Sequence, residues 1–560
     1  MKGEYSRLKG ESSPRQSREE ERKSLIPPDE RSPGDKQYDE EENAEVEPPS
    51  RSRRCLVFSV LFFSLLLLTI AIPYRRFFSD AESIDDESEG EGEGGARLSL
   101  QTQGLLSNGT HEFKKSAIIV SIDGLRADYL DRGLTPHLLA ISKDGLRAKS
   151  MKPIFPTLTF PNHWALMTGL YAESHGIVGN NFWDPATGLE FQYNRVESAW
   201  IPGWWSGEPM WETAEKNGVR TANLMWPGPP KTSTGASSTY FVPWKDKVPL
   251  QEKLDQILAW VDMPLEKRPQ FIMAYEPSLD QAGHYAGPKS KLVDKVLKQV
   301  DVFARELHDE IEARNLTDIF DIVFVSDHGM TDTSHPELIF VDDILGEGWK
   351  HIEHEDGWPA MGFRFDSEEN TEKYYKVLLN ASALSDGKFD VYTHATMPQR
   401  WHFVNNERIA PIYVVPRIGY ALTDRIENGS GMNKGASHIH LPFLFLSHGY
   451  DHDYKEMHAM FVAHGPFSSV VKAIEADRMK AQAEANYKRK SPIRRFLDPL
   501  LARQSELPRP NKGWHSTSED TYVMETFENV QIYNLMMKLL GIEEHAAPTN
   551  GTKGFWDKYF

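Results

Sequence analysis

Three segments of this chain run from a β-branched apolar stretch straight into acidic or histidine residues. AIIVSIDG ends at Asp123, FIMAYEPSLDQAGH carries Asp280 and His284, and DIVFVSDHG carries Asp327 and His328. A carboxylate at the end of a buried strand is costly unless a cation neutralises it, so three such endings point to a shared metal site. Asp280 and His284 are spaced so that one helical turn presents both to one ion. Asp327 and His328 are adjacent and must sit at a strand end or bend to share one. Histidine and aspartate together suit zinc, which in a catalytic site keeps a position open for water or substrate.

The stretch PTLTFPNHWALMTGLYAESHGIVGNN adds a different ingredient. Pro161 is a helix-start signal, which places Thr159 at or just before a helix N-terminus. Unpaired N–H groups there favour anions such as phosphate. A threonine hydroxyl at that point serves either as a plain cap or as a nucleophile, and residue type alone leaves both open.

The elements that must position these residues alternate between strand-like and helical patterns. AIIVSID, the stretch from Phe160 to Gly169, VRTANLMW and QEKLDQILAWV follow one another, which predicts an α/β fold with a mainly parallel sheet covered on both faces. In such a sheet ligands gather outside the carboxyl ends of the strands, where the three acidic endings would converge. Apolar residues at helical spacing predict a helix within Lys289 to Arg314, just before the DIVFVSD strand, and FENVQIYNLMMKLLGI predicts a terminal helix ending near Gly541 that packs back on the sheet. The Lys- and Arg-rich stretch at about 473–512 reads as a surface insertion.

A chain of 560 residues with 39% hydrophobic content can bury one large core plus appendages. A net charge of -19 argues against sequence-specific nucleic-acid binding, but not against phosphate substrates whose charge a metal would meet. Cys55 is the single cysteine, which excludes an intramolecular disulfide and a cysteine-based zinc finger. Residues 1–54 have the composition of a disordered tail. Residues 55–72, CLVFSVLFFSLLLLTIAI, carry no charge and are long enough for a membrane-spanning signal anchor. Residues 73–113 form an acidic, Gly-rich stalk, and the folded domain is expected over 114–560.

Arg51, Arg53 and Arg54 precede the span, against Arg75 and Arg76 after it, which orients the tail toward the cytoplasm. The glycosylation sequons at Asn108, Asn315, Asn380, Asn428 and Asn550 all lie beyond it. The expectation is a single-pass type II protein with an extracellular or luminal folded domain. Cys55, at the cytoplasmic edge, is either a palmitoylation site or a passive thiol.

Taken in order, SIDGLRADYL, PTLTFPNHWALMTGLYAESHG, LDQAGHYAGP, VFVSDHGM, the segment around Arg400-Trp401-His402 and FENVQIYNLM resemble the ectonucleotide pyrophosphatase/phosphodiesterase family, within the alkaline phosphatase superfamily. The likeness runs from about Lys114 to Gly551, and the single-anchor layout is similar to fungal members. The resemblance implies an alkaline phosphatase-like core and a site of two zinc ions. Asp280, His284 and His448 would hold one; Asp123, Thr159, Asp327 and His328 would hold the other. His452, His458 and His464 lie close to His448 in the chain, but only His448 stands in an HGxD context similar to the family's.

On the same resemblance Thr159 falls on the nucleophile and Asn180 on the oxyanion-binding asparagine. Phe160 and, roughly, Trp244 fall where nucleotide-cleaving members place two aromatics around the base, the second usually Tyr. Asn162, His163 and His175 share the nucleophile's motif but read as structural, His175 fixing the loop that leads to Asn180. The implied reaction is zinc-dependent cleavage of nucleoside triphosphates or dinucleotides to nucleoside 5'-monophosphates through a phosphothreonine. Relatives that act on lysophospholipid or choline phosphodiesters supply an alternative substrate class, and a non-catalytic ectodomain a third reading. A sulfatase would need Cys or Ser in a C/S-x-P-x-R motif, and the absence of Arg or Lys from the nucleophile motif favours a diester over a monoester.

Overall fold

The computed structural model describes residues 104–332, 336–425, 446–471, 481 and 523–560. The tail, the span at 55–72, most of the stalk, Asn428 and nearly all of 473–512 lie outside the described residues. Among the described residues no helix is long and apolar enough to cross a membrane.

Seven strands make the main sheet: β1 (Ser116–Ile122), β2 (Leu146–Arg147), β3 (Thr221–Leu224), β4 (Tyr240–Val242), β5 (Phe271–Glu276), β6 (Phe320–Val325) and β7 (Phe461–His464). Their order is β2-β7-β6-β1-β5-β3-β4. The five from β6 to β4 are parallel, while β7 runs antiparallel to both β6 and β2. The mainly parallel reading is therefore right for the centre, with an antiparallel edge.

Both faces of the sheet are buried, which is why these strands are apolar without alternation. Ala117, Ile119, Met273, Val323 and Val325 enter one core, and Ile118, Val120, Ile272, Ile322 and Phe324 enter the other. The first core is closed by the helix Thr159–Thr168 and the terminal helix Ile532–Leu539; the second by the helices Leu250–Val261 and Lys291–Ala313. The last of these follows from its own sequence. Val293, Leu297, Val300, Ala304, Leu307 and Ile311 fall on one buried face, and Ser290 Oγ accepts from Val293 N at 3.1 Å as the N-cap.

Pairing sets the strand ends level. Ile122 of β1 lies opposite Glu276 of β5, and Ser121 lies opposite Val325 of β6. Asp123, Asp327 and the start of the helix Ser278–Ala286 thus emerge together at one edge of the sheet.

Two features were not read from the sequence. An antiparallel sheet of Ile352–Asp356, Met361–Phe365, Ile412–Pro416 and Phe389–Thr393, with the helix Glu368–Leu384 packed on it, builds a third core between β6 and β7. A short hairpin, Leu106–Ser107 with Glu112–Phe113, precedes the expected domain start at Lys114. Phe113 is buried against Phe320 and lies under the Arg268 guanidinium, so the folded domain begins some residues earlier than the composition suggested.

Candidate active site

Asp123 follows β1 directly, and Asp327 and His328 follow β6. His328 Nε2 lies 3.0 Å from Asp327 Oδ2, 3.6 Å from Asp123 Oδ1 and 3.3 Å from the Thr159 hydroxyl. Thr159 is the first residue of its helix, whose N-cap position is Leu158, and no side chain caps that end. The hydroxyl is thus not used as a cap; it faces His328 instead.

On the other side Asp280 and His284 stand one turn apart on the helix Ser278–Ala286, with Asp280 Oδ2 3.3 Å from His284 Nε2. His448 Nε2 lies 3.7 Å from Asp280 Oδ1 and 3.0 Å from His284 Nε2. The His328 and His448 rings stack with centroids 3.8 Å apart, which joins the two halves into one site. His328 borders both halves, since its ligand atom also lies within 4.8 Å of those of Asp280 and His448.

The donor set fits metal ions. His328 Nδ1 donates to the Gly329 carbonyl and His448 Nδ1 to the Thr157 carbonyl, each at 2.9 Å, which leaves both Nε2 lone pairs facing the site. Asp123 Oδ1, Asp280 Oδ1 and Asp327 Oδ2 are buried and accept no hydrogen bond. Lone pairs facing buried carboxylate oxygens repel unless positive charge lies between them.

The titration behaviour carries the same message. Burial, then repulsion from Asp327 and Asp280, pushes the Asp123 carboxyl well above its ordinary range. For Asp327 burial also acts upward, but His328 and His163 prevail and hold it well below. Burial opposes charge on His328, yet Asp327 prevails and raises it. Burial and then His328 push His448 down to about 3. Carboxylates and imidazoles packed this closely set their charges against one another, a conflict that bound metal ions would relieve.

Several positioning residues left no signal in the sequence. Tyr275 Oη, from neighbouring β5, donates to Asp123 Oδ2 at 2.5 Å. Gly124 N donates to Asp327 Oδ1 at 3.2 Å, and at φ +68° a Cβ there would stand 3.1 Å from Asp280 Oδ1. Only glycine meets both demands without strain. The Arg126 guanidinium donates to the Met330 carbonyl at 2.8 Å, tying the turn after β1 to the turn after β6. The pairing of Arg126 and Gly124 with the β6 turn spans about two hundred residues of chain, so no local pattern announces it.

Asn180 approaches Thr159's helix from the following loop, where its Oδ1 accepts from Phe160 N at 3.0 Å. His175 holds that loop: its Nε2 donates to the Pro161 carbonyl and its Nδ1 accepts from Ile177 N, each at 3.1 Å. Burial pushes His175 down to about 3, so it is neutral there. Phe160 is partly buried, its ring 5.2 Å from that of Tyr193 and 6.0 Å from that of Phe191. Trp244 is 52% exposed, and among the described residues its ring has no aromatic partner. Its loop is tied to the helix of Asp280 and His284 through Gln281, whose Nε2 donates to Asp246 Oδ1 at 3.4 Å.

Neighbouring histidines are structural. His163 approaches Asp327 Oδ2 at 3.3 Å and could be grouped with Asp123 and Asp327 around an ion. Its Nδ1 donates to the Thr159 carbonyl and its Nε2 meets Ser121 Oγ, both at 2.9 Å, so both nitrogens are taken. Asn162 bonds the backbone of Ile154, Pro156 and Leu158. Of the histidines that follow His448, His458 meets Ser150 Oγ, His452 is buried beside Asp453, and His464 sits at the far end of β7. Asn315, Asn380 and Asn550 are exposed, while Asn108 is half-buried and its Nδ2 donates to the Arg314 carbonyl at 2.8 Å.

A family model described as type I phosphodiesterase / nucleotide pyrophosphatase matches residues 117–451. An uncharacterised pyrophosphatase/phosphodiesterase of Schizosaccharomyces pombe is 40% identical over 366 residues, 65% of this chain and 73% of that one. Human ectonucleotide pyrophosphatase/phosphodiesterase family member 1 is 31% identical over 449 residues, and the chain spans 41% of its length. Among solved structures, murine ectonucleotide pyrophosphatase/phosphodiesterase 5 aligns with a TM-score of 0.61 and 26% identity over 79% of this chain and 98% of that one. An inactive threonine-to-alanine variant of the same murine protein, in complex with AMP, aligns equally well.

Proposed function

The chain belongs to the type I phosphodiesterase / nucleotide pyrophosphatase family, a family of phosphodiester hydrolases, and on that premise we propose that it is a two-zinc enzyme releasing nucleoside 5'-monophosphates from nucleoside triphosphates or dinucleotides. The observation that carries this reading is the set of three buried, unbonded carboxylate oxygens facing imidazole Nε2 atoms beside the Thr159 hydroxyl. Asp280, His284 and His448 would hold one ion, and Asp123, Asp327, His328 and the Thr159 hydroxyl the other. Zinc in those positions supplies the charge that lowers the pKa of a bound hydroxyl and offsets that of phosphoryl oxygens.

Thr159 Oγ1 then bonds to phosphorus as the leaving oxygen departs, carrying pyrophosphate away when the substrate is a nucleoside triphosphate. Water attacks the resulting phosphothreonine, which returns the hydroxyl and releases the nucleoside monophosphate. The Asn180 NH2 donates to a non-bridging oxygen as charge develops on it. Thr159 lies at a helix start, where backbone N–H groups favour that same charge. Phe160 and the exposed Trp244 offer ring faces for a nucleobase. The uncharged run at 55–72 and the exposed sequons support a membrane-anchored domain outside the cytosol.

The test pairs metal analysis with products. Purified protein should contain at least two zinc ions, turn ATP into AMP and pyrophosphate, and lose that activity in Thr159→Ala with its zinc largely retained. Full activity in Thr159→Ala would remove the nucleophile. Preference for a choline phosphodiester over a nucleotide ester would overturn the substrate assignment.

A further inference from the structure

We propose that His308 and His464, with Glu312, form a divalent-cation site separate from the candidate active site, of the zinc class, clamping the helix Lys291–Ala313 to β7. His464 is the last residue of β7 and pairs with Ile322, near the start of β6. Five residues of extended chain separate that level from Asp327, on the order of 16 Å. The pair therefore lies toward the opposite end of the sheet from Thr159.

His308 Nε2 stands 3.1 Å from His464 Nδ1, with ring planes at 70°. Two nitrogens bound to one tetrahedral zinc, each about 2.0–2.1 Å away, lie about 3.3 Å apart. The active-site pair His284 and His448 shows nearly the same separation, 3.0 Å. The ligand atoms of His308, Asp309 and Glu312 lie within 4.8 Å of one another. Glu312 is one helical turn beyond His308, so both reach the same side of the helix.

Asp309 plays a different part. Its Oδ1 lies 3.8 Å from His308 Nδ1 and its Oδ2 3.7 Å from Arg305 Nε. At those distances it places negative charge beside the second ring nitrogen without bonding it, and it takes no part in the ligand set. The clamp is partly buried at His308 and open at Glu312, which leaves a path for the ion and room for water to complete its shell.

A plain hydrogen bond between the two rings has the same distance, and His308→Gln separates the two. Glutamine keeps an N–H donor for His464 but is a poor zinc ligand. Full-length parent, His308→Gln and His464→Gln are brought to equilibrium by dialysis against the same buffered free zinc near 10 µM, and bound zinc is counted per chain. The parent should hold one equivalent more than either variant, with phosphodiester hydrolysis unchanged in both. The zinc-dependent rise in the parent's melting temperature should also exceed that of His308→Gln. Equal zinc counts in parent and variants would overturn the site and leave the hydrogen bond as its explanation.

Discussion

The backbone N–H of Phe160 donates to Asn180 Oδ1 at 3.0 Å, and this single contact fixes what Asn180 can do. Its amide oxygen is occupied, so the NH2 is the group left to donate, and in the proposed reaction it would meet charge developing beside Thr159. Asn180→Ala should lower kcat by about 10²–10³ with KM little changed. Asn180→Asp keeps the acceptor for Phe160 but replaces the donor with a negative charge, and should lose more. Steady-state kinetics on a nucleotide ester, with zinc content measured alongside, checks both.

Among the described residues Tyr275 supplies the one side-chain hydroxyl bonded to Asp123, at 2.5 Å. Tyr275→Phe keeps the ring among its neighbours and leaves Asp123 Oδ2 without its donor. Metal affinity should fall about 10–100-fold, the usual loss when a ligand's outer partner is removed. Chelator competition reads that change directly, while activity at saturating zinc should largely recover.

Gly124 has φ +68°, and a Cβ would stand 3.1 Å from Asp280 Oδ1 and 3.2 Å from its Cβ. Gly124→Ala should cost about 1–2 kcal/mol in backbone strain alone. Displacement of Asp280 adds a functional loss that backbone strain does not. Chemical denaturation and zinc stoichiometry measured on the same variant separate the two effects.

His175 is buried, and its pKa is lowered from 6.5 to about 3 by desolvation. The unfolded chain takes up a proton near the ordinary value, while the folded one resists until far lower pH. Stability from this residue is therefore complete above about 6.5 and is lost as pH falls toward 3. In His175→Gln the acid-side fall in melting temperature between pH 7 and pH 5 should be shallower than in the parent. An identical slope in the two proteins would contradict the assignment.

The layout of the candidate site was legible where it depended on local pattern. Strand runs leading into Asp123, Asp280 and Asp327, the spacing of Asp280 and His284 on one helical turn, and the helix start at Thr159 are short-range properties of the chain. The family signature then carried Asn180 and His448, which no local pattern could distinguish from their neighbours. The strands β1, β5 and β6 and the helix Lys291–Ala313 were legible for a similar reason: apolar runs and helical spacing report burial directly.

What only the tertiary structure decided is which groups meet across distant parts of the chain. Asp123 receives Tyr275 from the adjacent strand, Gly124 reaches Asp327 across 203 positions, and His448 reaches His284 across 164. His163 and His464 were as eligible by type as His448. One is excluded because both its nitrogens are bonded, the other because β7 ends at the far side of the sheet. Residue type and spacing determine which chemistry the chain can offer. Strand register and the direction of each hydrogen bond determine which of those groups face one another, and those depend on the whole packed sheet.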